Sequence, residues 1–478
     1  MAVLATIKKQ DTAFLAIVVV ATIGYSLLSL ANHSLFKTYT LDLGIYTNAL
    51  SDYAHFRLPD CSMFKSRDML LLCDHFDLYL VLLSPLVYVF GSWTLLVVQI
   101  AAMIFGGIGI YKLVGLYTDD HLLPPLAMIV FYFSFGIIQA LAFDYHSNVV
   151  AAMLLPWLFW GLKQRRFVLA SALVILFVIG KENMSLLLFF VVIGLMWDYR
   201  RDKTTMWYLS AYALFSLLYF VLVNMVVMPK LGGLGGGFYR YAYLGDNYAD
   251  IALNLISHPG ETLRILFSNT SGNPAGDGLK KEFYQCALLS GMLFTLMKPN
   301  YLLMLVPLIG QKMFSSDRAM WGIAMQYSVE FVPILVVSSF IVIAKLENGH
   351  WGRLLALALL ISTIATTFYT VGVPKSYVRL DHLCIYQGRH YEQSGFDADF
   401  ARKLMKQIPD DASVCASSVF VPHLALREKI YDVKLSKTKE ADYLMLVDSQ
   451  AWKNVIDFED YEPLSTDGTL TLWKRVQP

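Results

Sequence analysis

Seven ionisable side chains stand in apolar or aromatic surroundings: Asp42 in YTLDLGIYTNAL, His75 and Asp77 in HFDLYLVLL, Asp144 and His146 in FDYHSN, and Lys181 and Glu182 in GKEN. These are the residue types of a transfer reaction. A carboxylate takes the proton of a hydroxyl nucleophile, an imidazole carries a proton or binds phosphate, and an ammonium group neutralises charge growing on an anionic leaving group. Arg240 in FYRYAY and Arg318 in SSDRAMW are further cations of the same use. His75, Asp144 and His146, with Asp77, also make a donor set for a divalent cation, although their spacing is diagnostic of no metal. Each group has a plainer reading. Asp42 would cap the helix that DLGIYTNAL starts. His75 and Asp77 would be a polar rim, Asp144 and His146 a helix terminator, and Lys181–Glu182 a self-neutralising pair at the end of a span.

The surroundings decide how much weight these residues carry. Of 478 residues, 56% are hydrophobic and only 16% charged, against roughly 25% charged in soluble domains. Long uncharged runs recur from Phe14 to Val373, and about 20 such residues span a bilayer. The chain therefore reads as a polytopic helical membrane protein whose first partner is the lipid bilayer. An ionisable group beside hydrocarbon costs roughly 2.5–3.5 kcal/mol on insertion scales, so each is a functional candidate by default. The net charge of +1 says nothing useful about a partner, and the sequence has no basic stripe suited to nucleic acid. LGGLGGG at 231–237 has neither a following GK[ST] nor a preceding strand, so it is no phosphate loop. GxSxG, HExxH and CxxC motifs are absent from the sequence.

Basic residues in short loops mark the cytoplasmic side. Placing Lys8–Lys9, Lys163–Arg166, Arg200–Lys203, Lys298 and the Lys345/Arg353 pair there gives a consistent path of about eleven spans. They cover 13–31, 93–116, 122–141, 148–162, 167–180, 184–197, 205–228, 283–297, 301–314, 327–345 and 354–372. The first is read as a retained helix and not a cleaved signal, since its apolar core is long and no cleavage motif follows. The N-terminus is then inside. Two long loops, 32–91 and 229–282, lie outside, and the segment 75–91, too short for a comfortable span, becomes an interfacial or re-entrant helix. Counting it as a span would send the basic loops outside. The expected division is a transmembrane part, 1–374, and a small extracytoplasmic α/β domain, 375–478. In the latter, FDADFARKLMKQIPDDA reads as an amphipathic helix, SVCASSVF as a strand, FVPHLALREK as a helix, ADYLMLVD as a buried strand and TLTLWKRV as a final strand. Cys61–Cys73 and Cys384–Cys415 are the economical disulfide pairs if both regions face an oxidising compartment, leaving Cys286 in an apolar span. On this layout the lone polar residues gather at the outer ends of the first six helices.

The ordered set DLGIYTNAL, HFDLYLVLLSPLVYVFG, LLVVQIAA, FDYHSN, GKEN and MQYSVEFVPIL, over Tyr39 to Leu346, resembles the domain-of-unknown-function 2079 family of predicted bacterial membrane proteins. That family is usually placed with the C-type (GT-C) glycosyltransferases. Asn48, Asn148 and GKEN depart from its commoner residues. The resemblance implies a GT-C-like fold in the bacterial cytoplasmic (inner) membrane, with a catalytic acid after the first helix, matched by Asp42. It implies transfer of a sugar from a polyprenyl-phosphate carrier to an extracytoplasmic acceptor (a glycan, lipid or protein). Asp42 would be the base, and Lys181, with Arg240 and Arg318 as other outer-face cations, would meet the lipid phosphate. His75 and His146 would hydrogen-bond that phosphate or hold a divalent ion, with Asp77, Asp144 and Glu182 around them. Two other readings stay open. A transporter or flippase of a lipid-linked substrate would place charges near the midplane and show internal repeats, and a non-catalytic scaffold would make the polar cluster dispensable.

Overall fold

The computed structural model describes residues 2–64, 69–232, 238–346, 349–372, 385–392, 395–436 and 441–476. Helices account for the apolar runs. Among the described residues, four are long and apolar enough to cross a membrane: Thr12–Ser34, Tyr79–Val114, Lys203–Lys230 and Gly349–Val371. The pair Leu123–Phe133 and Phe135–Ala142, bent by 41°, makes a fifth if counted as one span. The expected eleven are therefore not eleven full-length rods. The other apolar runs fold as shorter or interrupted helices, among them Phe167–Ile179, Met184–Tyr199, Pro299–Met313 and Phe331–Ala344. The interruptions have local causes. The run at 283–297 breaks where Gly291 adopts φ +121°, and the 148–162 run splits into Ser147–Ala152 and Leu155–Lys163 around Pro156. Broken helices are tolerated at membrane depth where the freed backbone groups are buried in protein. Phe331–Ala344 is such a buried helix, with nearly every side chain covered.

The segment 75–91 forms helical turns from Tyr79 to Phe90 and then breaks. Gly91 takes φ +55° and ψ −137°, a conformation open to glycine, before Thr94–Val114 begins. The apolar stretch thus runs into the helix after it through the break at Gly91, and the two together make the candidate span Tyr79–Val114. On the Thr12–Ser34 helix, Leu15, Val20 and Ile23 stay more than half exposed, as expected for a lipid-facing surface. Inside, small residues and polar side chains bring helices together. Gly107 lies against the Tyr132 ring, and the Tyr132 hydroxyl donates to Ile104 O at 2.9 Å. Asn300 Nδ2 donates to Gly194 O at 3.2 Å and to Asp198 Oδ2 at 3.0 Å.

The basic loops meet at one end of the bundle. Arg165 pairs with Asp202 at 3.0 Å, Lys298 with Asp198 at 3.4 Å and Arg353 with Asp120 at 2.7 Å. Lys163 lies 4.6 Å from the Tyr117 ring centre. From this end Phe167–Ile179 runs away towards Lys181, so GKEN sits at the opposite end.

The C-terminal chain forms a five-stranded sheet with the amphipathic helix Ala398–Met405 before it. The strands are β1 (Val414–Ala416), β2 (Ile430–Asp432), β3 (Tyr443–Val447), β4 (Tyr461–Thr466) and β5 (Leu470–Arg475), in spatial order β2-β1-β3-β5-β4. The first three are parallel, and β5 and β4 add antiparallel. The helix and the strands β1, β3 and β5 fall in segments expected from the sequence. β2 and β4 were not expected, because three-residue β2 carries no alternation and β4 is mostly exposed. The sheet unit does not stand apart. Phe420, Val421, Ala401 and Leu404 share one apolar cluster with Phe36, Leu43, Tyr46 and Leu50.

Two disulfide expectations end differently. Cys61 and Cys73 are both buried but not joined. Instead Cys73 Sγ donates to Leu231 O at 2.6 Å. Cys384 of the Cys384–Cys415 pair and the run 233–237 of LGGLGGG lie outside the described residues.

Candidate functional site

Asp42 sits on a short irregular turn, Thr40–Gly44, between the first helix and the helix Ile45–Ala54. It has φ +70° and ψ −82°, the strained γ-turn region that non-glycine residues rarely enter. It is therefore not a helix cap, and no capping hydrogen bond from its side chain is formed. The carboxylate is 26% exposed, and its Oδ1 lies 3.2 Å from His146 Nε2. Asp144, two residues before His146, is also left-handed at φ +52°. Strain of this kind persists only where surrounding structure over-determines it, and it clusters at functional sites.

FDYHSN is shaped by a buried glutamine. Gln99 Nε2 donates to Asp144 O at 2.8 Å, and His146 N donates to Gln99 Oε1 at 2.9 Å. Asp144 Oδ2 accepts from Tyr39 N at 3.3 Å, tying this loop to the Asp42 turn. His146 is 2% exposed, and its ring stacks 5.6 Å from that of Phe143. On the other side, Glu182 is 3% exposed and accepts from Phe76 N at 3.1 Å, with His75 Nδ1 also at 3.1 Å. Leu78 N donates to Ile179 O at 3.0 Å, locking the 75–78 segment to the GKEN turn.

These segments enclose one cavity of about 110 Å³, lined by Asp42, His75, His146, Lys181, Glu182 and Arg240 among others. Four separated stretches thus converge, as expected, at the end of the bundle away from the basic loops. Its far wall comes from residues the sequence reading passed over: Tyr46, Asn148, Asn183, Tyr241, Gln311, Met320, Gln326, Tyr327 and Glu330. Gln326, Tyr327 and Glu330 belong to MQYSVEFVPIL, where a lone acid at the head of an apolar helix was a usable signal. Asn148 Nδ2 donates to Glu330 Oε1 at 2.5 Å, Asn183 Nδ2 to Gln311 Oε1 at 3.1 Å, and Tyr241 OH to Gln311 O at 2.8 Å.

Three expected residues are placed differently. Asp77 is 2% exposed and does not line the cavity. Its Oδ1 accepts from Tyr79 N at 2.8 Å, so it caps the turn that starts the 79–90 helix. Asp144 likewise is buried and does not line the cavity. Arg318 is in the turn Arg318–Met320, of which only Met320 reaches the lining. Among the described residues no three His, Cys, Asp or Glu groups come together around a common metal position. His75, Asp144 and His146 therefore do not form the donor set considered above, because His75 is turned onto Glu182 and Asp144 onto Tyr39 N.

Electrostatics separates the acids. Burial alone would raise the Asp42 carboxyl, but His146 beside it, with the Lys181 and His75 charges, holds it below the usual carboxylate range. Burial also opposes the charge of Glu182, and the His75 contact, Lys181 and a backbone N–H outweigh it, leaving it at about 2. Burial, reinforced by the Asp42 charge, pushes Asp144 well up against the Tyr39 N–H. Burial takes Asp77 to about 7 despite hydrogen bonds from Ser147 and Tyr79 N and the Lys181 charge. Burial pushes the His146 imidazole down against Asp42. The cavity thus presents ionised Asp42 and Glu182 together with Lys181 and Arg240. Lys181 has no ion-pair partner among the described residues, and Arg240 Nε has Asp317 Oδ2 at 3.7 Å. A carboxylate that can take a proton and cations that can receive an anion share one small space.

In fold the chain is similar to ArnT from Cupriavidus metallidurans bound to undecaprenyl phosphate, with a TM-score of 0.50, 10% identity and coverage of 98% of each chain. It is equally similar to ArnT from the same organism in the apo state, with a TM-score of 0.50, 9% identity and 98% coverage of each chain. No curated protein matches it by sequence. The profile of one family, predicted membrane protein (DUF2079), matches residues 32–459, and the chain belongs to that family.

Proposed function

We propose that the protein is a GT-C glycosyltransferase that moves a sugar from a polyprenyl-phosphate carrier to an acceptor hydroxyl, with inversion. The observation that carries this reading is the single cavity in which ionised Asp42 faces Lys181 and Arg240, set in a fold shared with a protein solved with undecaprenyl phosphate. Asp42 takes the proton of the acceptor hydroxyl as its oxygen bonds to the anomeric carbon. The bond from that carbon to the phosphate oxygen breaks, and the lipid phosphate leaves with the electron pair. Lys181 and Arg240 take up the charge on that phosphate, and His75, held by Glu182, supplies a further polar contact at the same wall. The basic end of the bundle is then cytoplasmic, by the distribution of Lys and Arg. The cavity and the C-terminal sheet unit face outward, where a membrane-borne donor and a water-borne acceptor meet. A flippase reading gains nothing here, since the charged groups cluster at one end.

The test uses the purified full chain in nanodiscs with a panel of undecaprenyl-phosphate-linked hexoses and pentoses and a cell-envelope extract as acceptor. Release of undecaprenyl phosphate is measured. Asp42→Asn should lower turnover by about 10²–10⁴-fold, the usual worth of a general base, while binding of undecaprenyl phosphate persists. Lys181→Ala with Arg240→Ala should remove that binding. Near-normal turnover by the Asn variant would refute the assignment.

A further inference from the structure

We infer that the C-terminal sheet unit is a clamp that holds Asp42 in its reactive backbone conformation, with Thr40 and Asp432 as the positioning pair. This rests on the reading of Asp42 as the base. Local bonds of the turn are backbone only, Gly44 N to Tyr39 O and Ile45 N to Thr40 O and Asp42 O; Tyr39 ahead of it makes no side-chain cap, and Asp42 itself is at φ +70°. Further bonds that hold it come from almost the other end of the chain. Thr40 N donates to Ser418 Oγ at 3.0 Å, and Thr40 Oγ1 donates to Asp432 Oδ2 at 2.5 Å. Asn48 Nδ2 donates to Ala425 O at 3.0 Å and Arg427 O at 2.9 Å, and Ser51 Oγ to Leu426 O at 3.0 Å.

Thr40 and Asp432 are both fully buried, so water cannot replace either partner. Asp432 ends β2, and its other oxygen accepts from Lys434 N and Leu435 N, each at 2.8 Å. One carboxylate therefore fastens the rim of the sheet to the residue two places before Asp42. Close packing leaves the turn no room to slide. A Cβ on Gly44 would stand 3.0 Å from Val421 Cγ1. From the opposite side Asp144 Oδ2 accepts from Tyr39 N, so the turn is gripped between the helical bundle and the sheet. This accounts for a sheet unit that has no cavity-lining residue among the described ones yet packs on the segment that bears the acid.

The test compares Thr40→Val, which removes the hydroxyl at constant shape, with Thr40→Ser, which keeps it. Amide hydrogen exchange is followed in the full chain in nanodiscs. Gly44 N and Ile45 N, bonded within the turn to Tyr39 O and to Thr40 O and Asp42 O, report on the turn. Leu444 to Leu446 report on the sheet. Loss of a buried hydrogen bond to a charged group shifts a local opening equilibrium by roughly tenfold or more. Thr40→Val should therefore speed exchange at Gly44 and Ile45 by at least about tenfold and leave β3 protected. In the release assay it should lower kcat by a similar factor with KM for the undecaprenyl-phosphate-linked sugar unchanged, and Thr40→Ser should restore both. Wild-type exchange at the turn in Thr40→Val would overturn the clamp, as would a loosened turn with unaltered kcat. If Asp42→Asn keeps its turnover, the reading of Asp42 fails by itself, and the exchange comparison still decides whether the sheet holds the turn.

Discussion

The backbone of Asp42 makes a prediction that is independent of substrate. Its φ of +70° and ψ of −82° lie where a Cβ is crowded by the neighbouring carbonyl, at a cost of about 1–3 kcal/mol for a non-glycine residue. Replacing Asp42 by Ala or by Gly removes the carboxylate equally, so the loss of the His146 contact at 3.2 Å cancels between the two variants. What differs is the Cβ. At an ordinary position Gly is the less stable of the pair by roughly 0.5–1 kcal/mol, through the freedom it gains when unfolded. Here relief of strain opposes that term, leaving Asp42→Gly more stable than Asp42→Ala by up to about 2.5 kcal/mol. The order of the two is read from thermal midpoints of the full chain in nanodiscs, or from graded denaturant unfolding in mixed micelles. Both variants should lack turnover, which separates the stability effect from function. An Ala variant above the Gly variant would show that the turn is unstrained and that the argument from its dihedral angles is wrong.

Further predictions follow from burial and packing. Glu182 is held at about 2 against an ordinary 4.5, so its contribution is complete above about pH 4.5 and is lost as pH falls towards 2. That is roughly 3 kcal/mol at 1.36 kcal/mol per unit. Glu182→Gln should flatten acid unfolding over this window, and an unchanged acid limb would argue against the His75–Glu182 pair. Asp77 has the opposite sign. Its carboxyl is raised from 3.8 to about 7, so native stability falls as pH rises between those values, by roughly 4 kcal/mol at most. Asp77→Asn should stabilise the protein at pH 8 and change little at pH 4, measured by thermal shift at both. At Gly107 an added Cβ would lie 2.1 Å from the Tyr132 ring. That ring is 2% exposed and fastened to Ile104 O, so Gly107→Ala should cost about 1–3 kcal/mol or more. Gly260→Ala, in the helix Pro259–Phe267 with nothing within 4 Å, serves as the unclashed control in the same thermal assay and should raise stability by roughly 0.5–1 kcal/mol.

The helices and the polarity of the bundle were legible because hydrocarbon imposes them. Apolar runs must bond their backbones internally, and Lys and Arg in short loops reveal which helix ends go together. The ion pairs Arg165–Asp202, Lys298–Asp198 and Arg353–Asp120 bear that out. By the same logic lone polar residues in apolar surroundings pointed to Asp42, His75, His146, Lys181 and Glu182, which line one cavity. Sequence periodicity carries no record of a contact between distant segments, however. It could not separate Asp77, a turn cap, from its neighbour His75, or exclude Arg318. Nor could it find Gln311 and Tyr241, whose polarity is unremarkable until a tertiary bond sets them on the wall. Full-length spans were expected where kinks at Gly291 and near Pro156 divide the chain. Least visible was Thr40–Asp432, a pair 392 residues apart. Such pairings depend on which surfaces are buried against one another, and only the folded chain decides that.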